Sequence, residues 1–319
     1  MIYGMSWIFG LTGTMDYAGI GERVLALDPA SRGALFLGLV LVLAGFGYKI
    51  SAVPFHMWAP DVYTGAPIPV TAFLAVGSKA AGFAMLLRFF HFGITVDGPA
   101  AALGGIGLPQ LATVVCAATM TLGNLAAISQ TNMKRLLAYS SIAHAGYALL
   151  GFVVFADTGV KAVLIYLMAY YVMNLGAFWV VMLIANATGR EDLGGYRGLA
   201  WRGGALPAVA LAIFLFSLAG LPPLAGFVGK FYVFAAGVQA KFYALVVIGV
   251  LNSVVSLYYY ARVVKVMFLD QPQEVDQQVE FGLTDLGAVG ILSAVTLYLG
   301  VRFGWLLEQA DAARRVFTG

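Results

Sequence analysis

Four ionisable residues lie in stretches where a charge has little water to solvate it. Lys79 sits in IPVTAFLAVGSKAAGFAMLLRFF, roughly ten residues from either end of the run. As a helix that places it about 15 Å from each membrane surface. A lysine side chain reaches only about 6 Å, so it cannot extend to water. Lys230 lies in SLAGLPPLAGFVGKFYVF, in which Gly220, Pro222, Pro223 and Gly226 are hard to fit into one regular helix. Non-helical backbone at membrane depth is tolerated only where it is buried in protein or lines a hydrated cavity. Lys49 lies in AGFGYKISAVPFHMWAP, where Gly45, Gly47 and Pro54 predict an interruption beside the charge. Trp58 and Tyr63 mark a membrane surface nearby, so interfacial snorkelling is the alternative reading for Lys49. His144, in LLAYSSIAHAGYALLGF with Tyr139, Ser140, Ser141 and Tyr147, has the titration range of a proton relay. A hydrogen-bonded core histidine explains it equally well. Intramembrane ionisable residues are functional by default, and amines beside helix breaks suit proton transfer.

The elements that position them are apolar helices. The 319 residues are 61% hydrophobic and only 10% charged, with a mean hydropathy of +0.89. A soluble domain carries about a quarter charged residues, so this inventory cannot cover a water-facing surface. Runs long enough to span a membrane fall near 33–52, 68–90, 109–130, 136–156, 160–185, 205–235, 240–268 and 285–305. An opening run, Met1 to Leu11, is about half the required length and lacks the features of a signal peptide. It reads as the end of a helix whose beginning is missing. The expectation is an all-α bundle of about nine transmembrane helices, N-terminally truncated, forming one transmembrane domain over 1–319. Two longer connections, Asn186 to Gly204 and Asp270 to Asp285, interrupt otherwise short turns, and the second holds several acids. The compact basic turn Lys134-Arg135 favours the cytoplasmic face.

The fifteen acidic residues all fall in expected loops, tails or helix ends. A lysine that cycles protons in lipid needs an opposing group to restore its basicity, and no deep acid supplies it. The net charge of +3 is dispersed, with no basic block suited to nucleic acid. The single cysteine, Cys116, rules out an intramolecular disulfide and a cysteine-ligated iron–sulfur cluster. The segment Gly45-Phe46-Gly47-Tyr48-Lys49-Ile50 matches a dinucleotide fingerprint only in part, without its third glycine or preceding strand. No motif for nicotinamide, flavin, haem, ATP or a metal is recognisable. His56, beside Trp58, reads as an interfacial residue, and Asn124, Asn174 and Asn252 as polar points able to bond between helices.

Three segments carry a family resemblance: KISAVPFHMWAPDVYTGAPIPVTAFLAVGSKAAGF, NLAAISQTNMKRLLAYSSIAHAGY and AGLPPLAGFVGKFYV. Together they closely resemble the subunit N (subunit 2) family of proton-pumping NADH:quinone oxidoreductase, or complex I, from residue 1 to about 305. The resemblance implies the antiporter-like fold, fourteen helices when complete, with two inverted five-helix repeats, two broken helices and a polar axis along the midplane. It implies that Lys49, Lys79 and Lys230 are proton-channel lysines and that His144 links the half-channels. The glutamate that partners the first lysine in the family would precede Met1.

The activity so implied is that of a non-redox, proton-translocating subunit without a cofactor of its own, in the bacterial inner membrane. Its partners would be neighbouring membrane subunits and lipid, with NADH and quinone bound elsewhere in the complex and no nucleic acid. A subunit of a multisubunit cation/proton antiporter shares the same lysines and broken helices, and is the alternative. A non-conducting membrane scaffold is the third reading.

Overall fold

The computed structural model describes residues 1–92, 102–103, 106–272 and 278–318. The apolar runs become helices: α1 (Ile2–Thr12), α2 (Tyr17–Leu25), α3 (Arg32–Ile50), α4 (Trp58–Gly65), α5 (Ile68–Phe73) and α6 (Lys79–Phe92). There follow α7 (Leu108–Ile128), α8 (Met133–Val153), α9 (Asp157–Thr188), α10 (Ala205–Ala219), α11 (Ala225–Gln239), α12 (Tyr243–Phe268), α13 (Leu283–Val301) and α14 (Gly304–Thr318). Two two-residue strands, β1 (Ala102–Leu103) and β2 (Ile106–Gly107), form the only described ladder. Among the described residues, seven segments are long and apolar enough to cross a membrane. The other two expected spans form α1 and the pair α10–α11, whose separate helices are each shorter than a crossing needs.

One helix organises the rest. Nearly the whole of α8 is enclosed by protein, and it contacts α4, α7, α9, α11 and α12. A helix buried all round carries no amphipathic stripe, which is why its sequence mixes Leu, Ala, Ser and His without helical phase. Asn132 starts it, its side-chain oxygen accepting from the Arg135 amide at 3.0 Å. Two apolar clusters meet along α8: one takes its residues 143–153, the other 133–142. The serines and His144 sit at that boundary.

Sequence patterning located both helix breaks. α3 ends where Ser51 turns left-handed, at φ 61°, and α4 resumes at Trp58. Trp58 pins the break by donating its Nε1–H to the Tyr48 carbonyl at 2.9 Å, and the freed Val53 amide donates to Thr119 Oγ1 at 3.0 Å. α10 ends at Gly220, φ 91°, and α11 begins at Ala225. The run 205–235, expected as one span, is thus two half-helices. A third irregularity was not legible: the span at 68–92 contains a π-turn, Leu74–Ser78, immediately before Lys79. π-Turns inside helices often mark functional positions.

Two short helices also escaped the hydropathy pattern, α2 and α14, because amphipathic helices average to a neutral window. α14 docks on the first turns of α9 through Lys161–Asp311 and Arg314–Asp157, each 2.7 Å. Lys161 beside Asp311 holds that carboxyl below the usual carboxylate range. A lowered carboxyl stabilises the docked form above its free value of about 3.9, and that contribution is lost as pH falls through the folded value. Hydrogen exchange along α14 is therefore expected to rise as pH is lowered below about 4, with exchange rates corrected for their intrinsic pH dependence. Asp311→Asn should remove most of that pH dependence.

Of the acids, Asp97, Glu274 and Asp276 lie outside the described residues, which takes two members from the acidic loop at 270–285. Among the described residues no acid is buried.

Candidate functional site

Lys79, His144 and Lys230 converge on the middle of α8, and all three are almost fully enclosed, at 2%, 2% and 4% exposure. The π-turn brings Lys79 to the start of α6. Its Nζ donates to the Ser141 carbonyl at 2.8 Å and to Ser141 Oγ at 2.6 Å. Neither partner is a carboxylate. An amine and an ammonium can both donate to such acceptors, so the contact survives loss of a proton.

Lys230 enters from the opposite side. It stands on the second turn of α11 and reaches back across the break to donate to the Ala219 carbonyl, 2.8 Å away, at the end of α10. The C-terminal end of a helix carries partial negative charge, so a half-helix terminus supplies an opposing field at a site where no acid is buried among the described residues. The Tyr147 ring face adds a cation–π contact at 4.5 Å. Gly220 makes room for this path, since a Cβ there would approach Lys230 Cδ to 2.8 Å.

His144 lies between them. Its Nδ1 is 2.6 Å from Tyr166 Oη on α9, and its Nε2 is 3.3 Å from Tyr260 Oη on α12. Tyr260 Oη is also 2.5 Å from Ser140 Oγ. The imidazole stacks on Tyr170, with ring centroids 4.9 Å apart. Each ring nitrogen thus faces a hydroxyl that can donate or accept, the arrangement a two-sided relay needs. Tyr166 and Tyr260 were not singled out from sequence. The trace for Tyr166 is the i, i+4, i+8 row Tyr166, Tyr170, Asn174 on α9; Tyr260 has no such pattern.

Lys49 is placed differently. It occupies the last turn of α3, its stem against Gly82 on α6 and much of its surface exposed. Gly82 is one turn beyond Lys79, so Lys49 flanks the same site from outside the α8 cluster. His56, 9% exposed, lies in the first break.

Below Tyr147 a second polar group joins α7, α8 and α12. Asn124 Nδ2 donates to Tyr147 Oη at 3.2 Å and to Asn252 Oδ1 at 3.3 Å, and its Oδ1 accepts from Tyr259 Oη at 3.0 Å. Removing one member strands the others in an apolar interior. Asn124→Leu is expected to lower stability by about 2–4 kcal/mol, the cost of one to two unsatisfied buried groups, measurable by unfolding in detergent–denaturant mixtures.

Lys134 and Arg135 lie at the N-terminal end of α8. Lys134 Nζ donates to Glu191 Oε1 at 2.8 Å and to the Ala66 carbonyl at 3.1 Å, while Arg135 pairs with Asp61 at 2.8 Å. Among the described residues no group of three His, Cys, Asp or Glu side chains could hold a metal ion.

The arrangement has known counterparts. Residues 1–256 match the family model described as NADH:quinone oxidoreductase/Mrp antiporter, TM. NADH-quinone oxidoreductase subunit N of Anaeromyxobacter sp. (strain Fw109-5) is 48% identical over 339 residues, covering 100% of this chain and 65% of its own length. NADH-quinone oxidoreductase subunit N 2 of Sorangium cellulosum is 50% identical over 314 residues, covering 95% of this chain and 61% of its own length. The chain therefore spans less than two thirds of the length of these curated relatives. Among solved structures, a chain of respiratory complex I from Thermus thermophilus with bound aureothin superposes with a TM-score of 0.78 at 36% identity, over 96% of this chain and 64% of that one. A chain of the Mrp complex from Dietzia sp. DQ12-45-1b shares the fold, with a TM-score of 0.87 at 24% identity, over 99% and 65%. Seven membrane-length apolar helices among the described residues and this match make the protein a multi-pass integral membrane protein of the bacterial inner membrane. With two broken helices, two lysines from other helices converging on one enclosed helix and a family match over most of its length, the chain belongs to the NADH:quinone oxidoreductase/Mrp antiporter transmembrane family.

Proposed function

We propose that this chain is a proton-translocating membrane subunit of an NADH:quinone oxidoreductase, acting as one transmembrane unit without a redox centre or cofactor of its own. The observation that carries the reading is the convergence of Lys79 and Lys230 on the two sides of α8, with His144 between them. Electron transfer, NADH and quinone belong to other subunits, and the immediate neighbours are other membrane subunits and lipid.

In this mechanism the protein moves a proton between amines through hydroxyls and water. Lys79 hands its proton to Ser141 Oγ, and water carries it to the hydroxyls beside His144. His144 accepts at one nitrogen and releases at the other. Lys230, held by the α10 terminus, takes the proton on the far side. Lys49 exchanges with Lys79 past Gly82. Each amine is held by neutral acceptors, so a shift in the local field can empty or refill it.

The test is affinity purification followed by reconstitution into liposomes. Peripheral NADH-oxidising subunits are expected to accompany the chain, and NADH oxidation by quinone to acidify the lumen. Recovery with antiporter subunits alone, and sodium-driven rather than NADH-driven proton movement, would reject this reading in favour of a cation/proton antiporter.

A further inference from the structure

Asn174 on α9 is fully enclosed, at 0% exposure, and neither its amide nitrogen nor its amide oxygen meets a hydrogen-bonding partner. Buried side-chain polar atoms are satisfied in the large majority of cases, so a doubly unpaired amide points to a ligand. Helix geometry fixes where it faces. At about 100° per residue, Asn174 lies about 40° beyond Tyr170 and about 40° short of Phe178. Tyr170 stacks on His144 of α8, while Phe178 lines a groove with Ile68 and Ala72 of α5. Asn174 therefore looks into the seam where α8, α9 and the α5–π-turn segment meet.

Two tyrosines reach the same seam. Tyr63 and Tyr170, 0% and 2% exposed, each have their hydroxyl within interaction range of Ser141. Neither hydroxyl makes a direct hydrogen bond. Ser141 is the residue that holds Lys79. Enclosed polar atoms that are close but not bonded are the setting in which buried water is found, each molecule needing about two to four partners. Lys134 stands seven residues before Ser141 on α8, about 10 Å along the helix, bonded to the partly exposed Glu191.

We propose that Asn174, with Tyr63 and Tyr170, forms a water-holding site that connects the Lys79–Ser141 pair to the membrane face where Lys134 and Glu191 sit. The proposal rests on the proton-relay reading above. Asn174 is a positioning residue in it: the amide does not titrate, but it orients the water with which Lys79 exchanges protons. Carboxamide and hydroxyl side chains can both do this, whereas an apolar side chain of the same size cannot.

The experiment compares Asn174→Leu, Asn174→Ser and Lys79→Met in the complete assembly, reconstituted in liposomes, reading proton pumping per NADH oxidised and subunit content. Pumping is expected to fall about tenfold in Asn174→Leu, an order-of-magnitude share of general acid–base transfer, and to recover largely in Asn174→Ser. Wild-type pumping in Asn174→Leu, or a defect as deep in Asn174→Ser as in Asn174→Leu, overturns the water site. If Asn174→Leu does not assemble, a high-resolution cryo-EM map of the wild-type assembly decides. Water density within hydrogen-bonding distance of the Asn174 amide supports the site, and an amide bonded only to protein overturns it. Normal pumping by Lys79→Met would defeat the relay reading itself, whatever Asn174 does. A defective Lys79→Met beside a normal Asn174→Leu defeats the water site alone.

Discussion

Replacing Lys230 by methionine is expected to reduce proton translocation on the order of a hundredfold, the lower range for losing a positioned proton-transfer group. Methionine fills nearly the same volume without a donor, so the contact across the second break is lost while the packing of α11 on α8 and α9 is kept. The Ala219 carbonyl loses its side-chain partner, although a helix terminus beside a break can recruit water. The informative companion is Lys230→Arg. A guanidinium keeps the positive charge at the α10 terminus and over the Tyr147 ring, yet its proton is not released in proteins. If Lys230 acts only as a fixed charge, Lys230→Arg pumps normally; if it carries protons, Lys230→Arg is as defective as Lys230→Met. Dye-monitored lumen acidification by the reconstituted assembly separates the two. Normal pumping by Lys230→Met removes Lys230 from the path.

The second large effect is structural. Gly226 lies in the first turn of α11, and its amide donates to Ser217 Oγ of α10 at 3.0 Å. A Cβ there would collide with the backbone carbonyl of Ser217. Backbone cannot rotate away as a side-chain tip does, so the half-helices must separate. Gly226→Ala is expected to destabilise the protein by about 3 kcal/mol or more, the upper range for overpacking. Less chain should be recovered in the membrane, and the surviving protein should unfold at a lower temperature. Gly287, with open space around its would-be Cβ, is the control, and Gly287→Ala should leave both measurements unchanged. A Gly226→Ala protein as stable as wild type would mean that the two half-helices can move apart without loss.

The second break, which starts at Gly220, also shows where local chemistry is enough. A left-handed glycine followed by two prolines stops a helix whatever surrounds it, and so the gap at 220–224 follows from residue types alone. The first break is similar, with Pro54 close behind Lys49. The π-turn before Lys79 is different. Nothing in Leu74–Ser78 forbids an ordinary helix, and the extra residue in that turn is accommodated where α9 packs against it. The short helix α14 was missed for a related reason: its apolar stripe acquires meaning only once α9 and α6 are there to receive it.

Composition and spacing by themselves determined that this is a polytopic helical membrane protein, that two of its helices break, and that Lys79 and Lys230 lie too deep to reach water. Those conclusions depend on the cost of placing charge and unbonded backbone in hydrocarbon, which acts on each segment separately. The same reasoning left an unanswered question, since deep lysines lacked deep acids. Only the tertiary structure shows which groups meet them: the Ser141 carbonyl and hydroxyl at Lys79, and the Ala219 carbonyl and Tyr147 ring at Lys230. Backbone carbonyls and aromatic faces occur throughout the sequence and leave no distinctive mark in it. Their direction is set by how helices pack, which is why the partners of the lysines, the tyrosines around His144 and the unpaired amide of Asn174 emerge only from the folded chain.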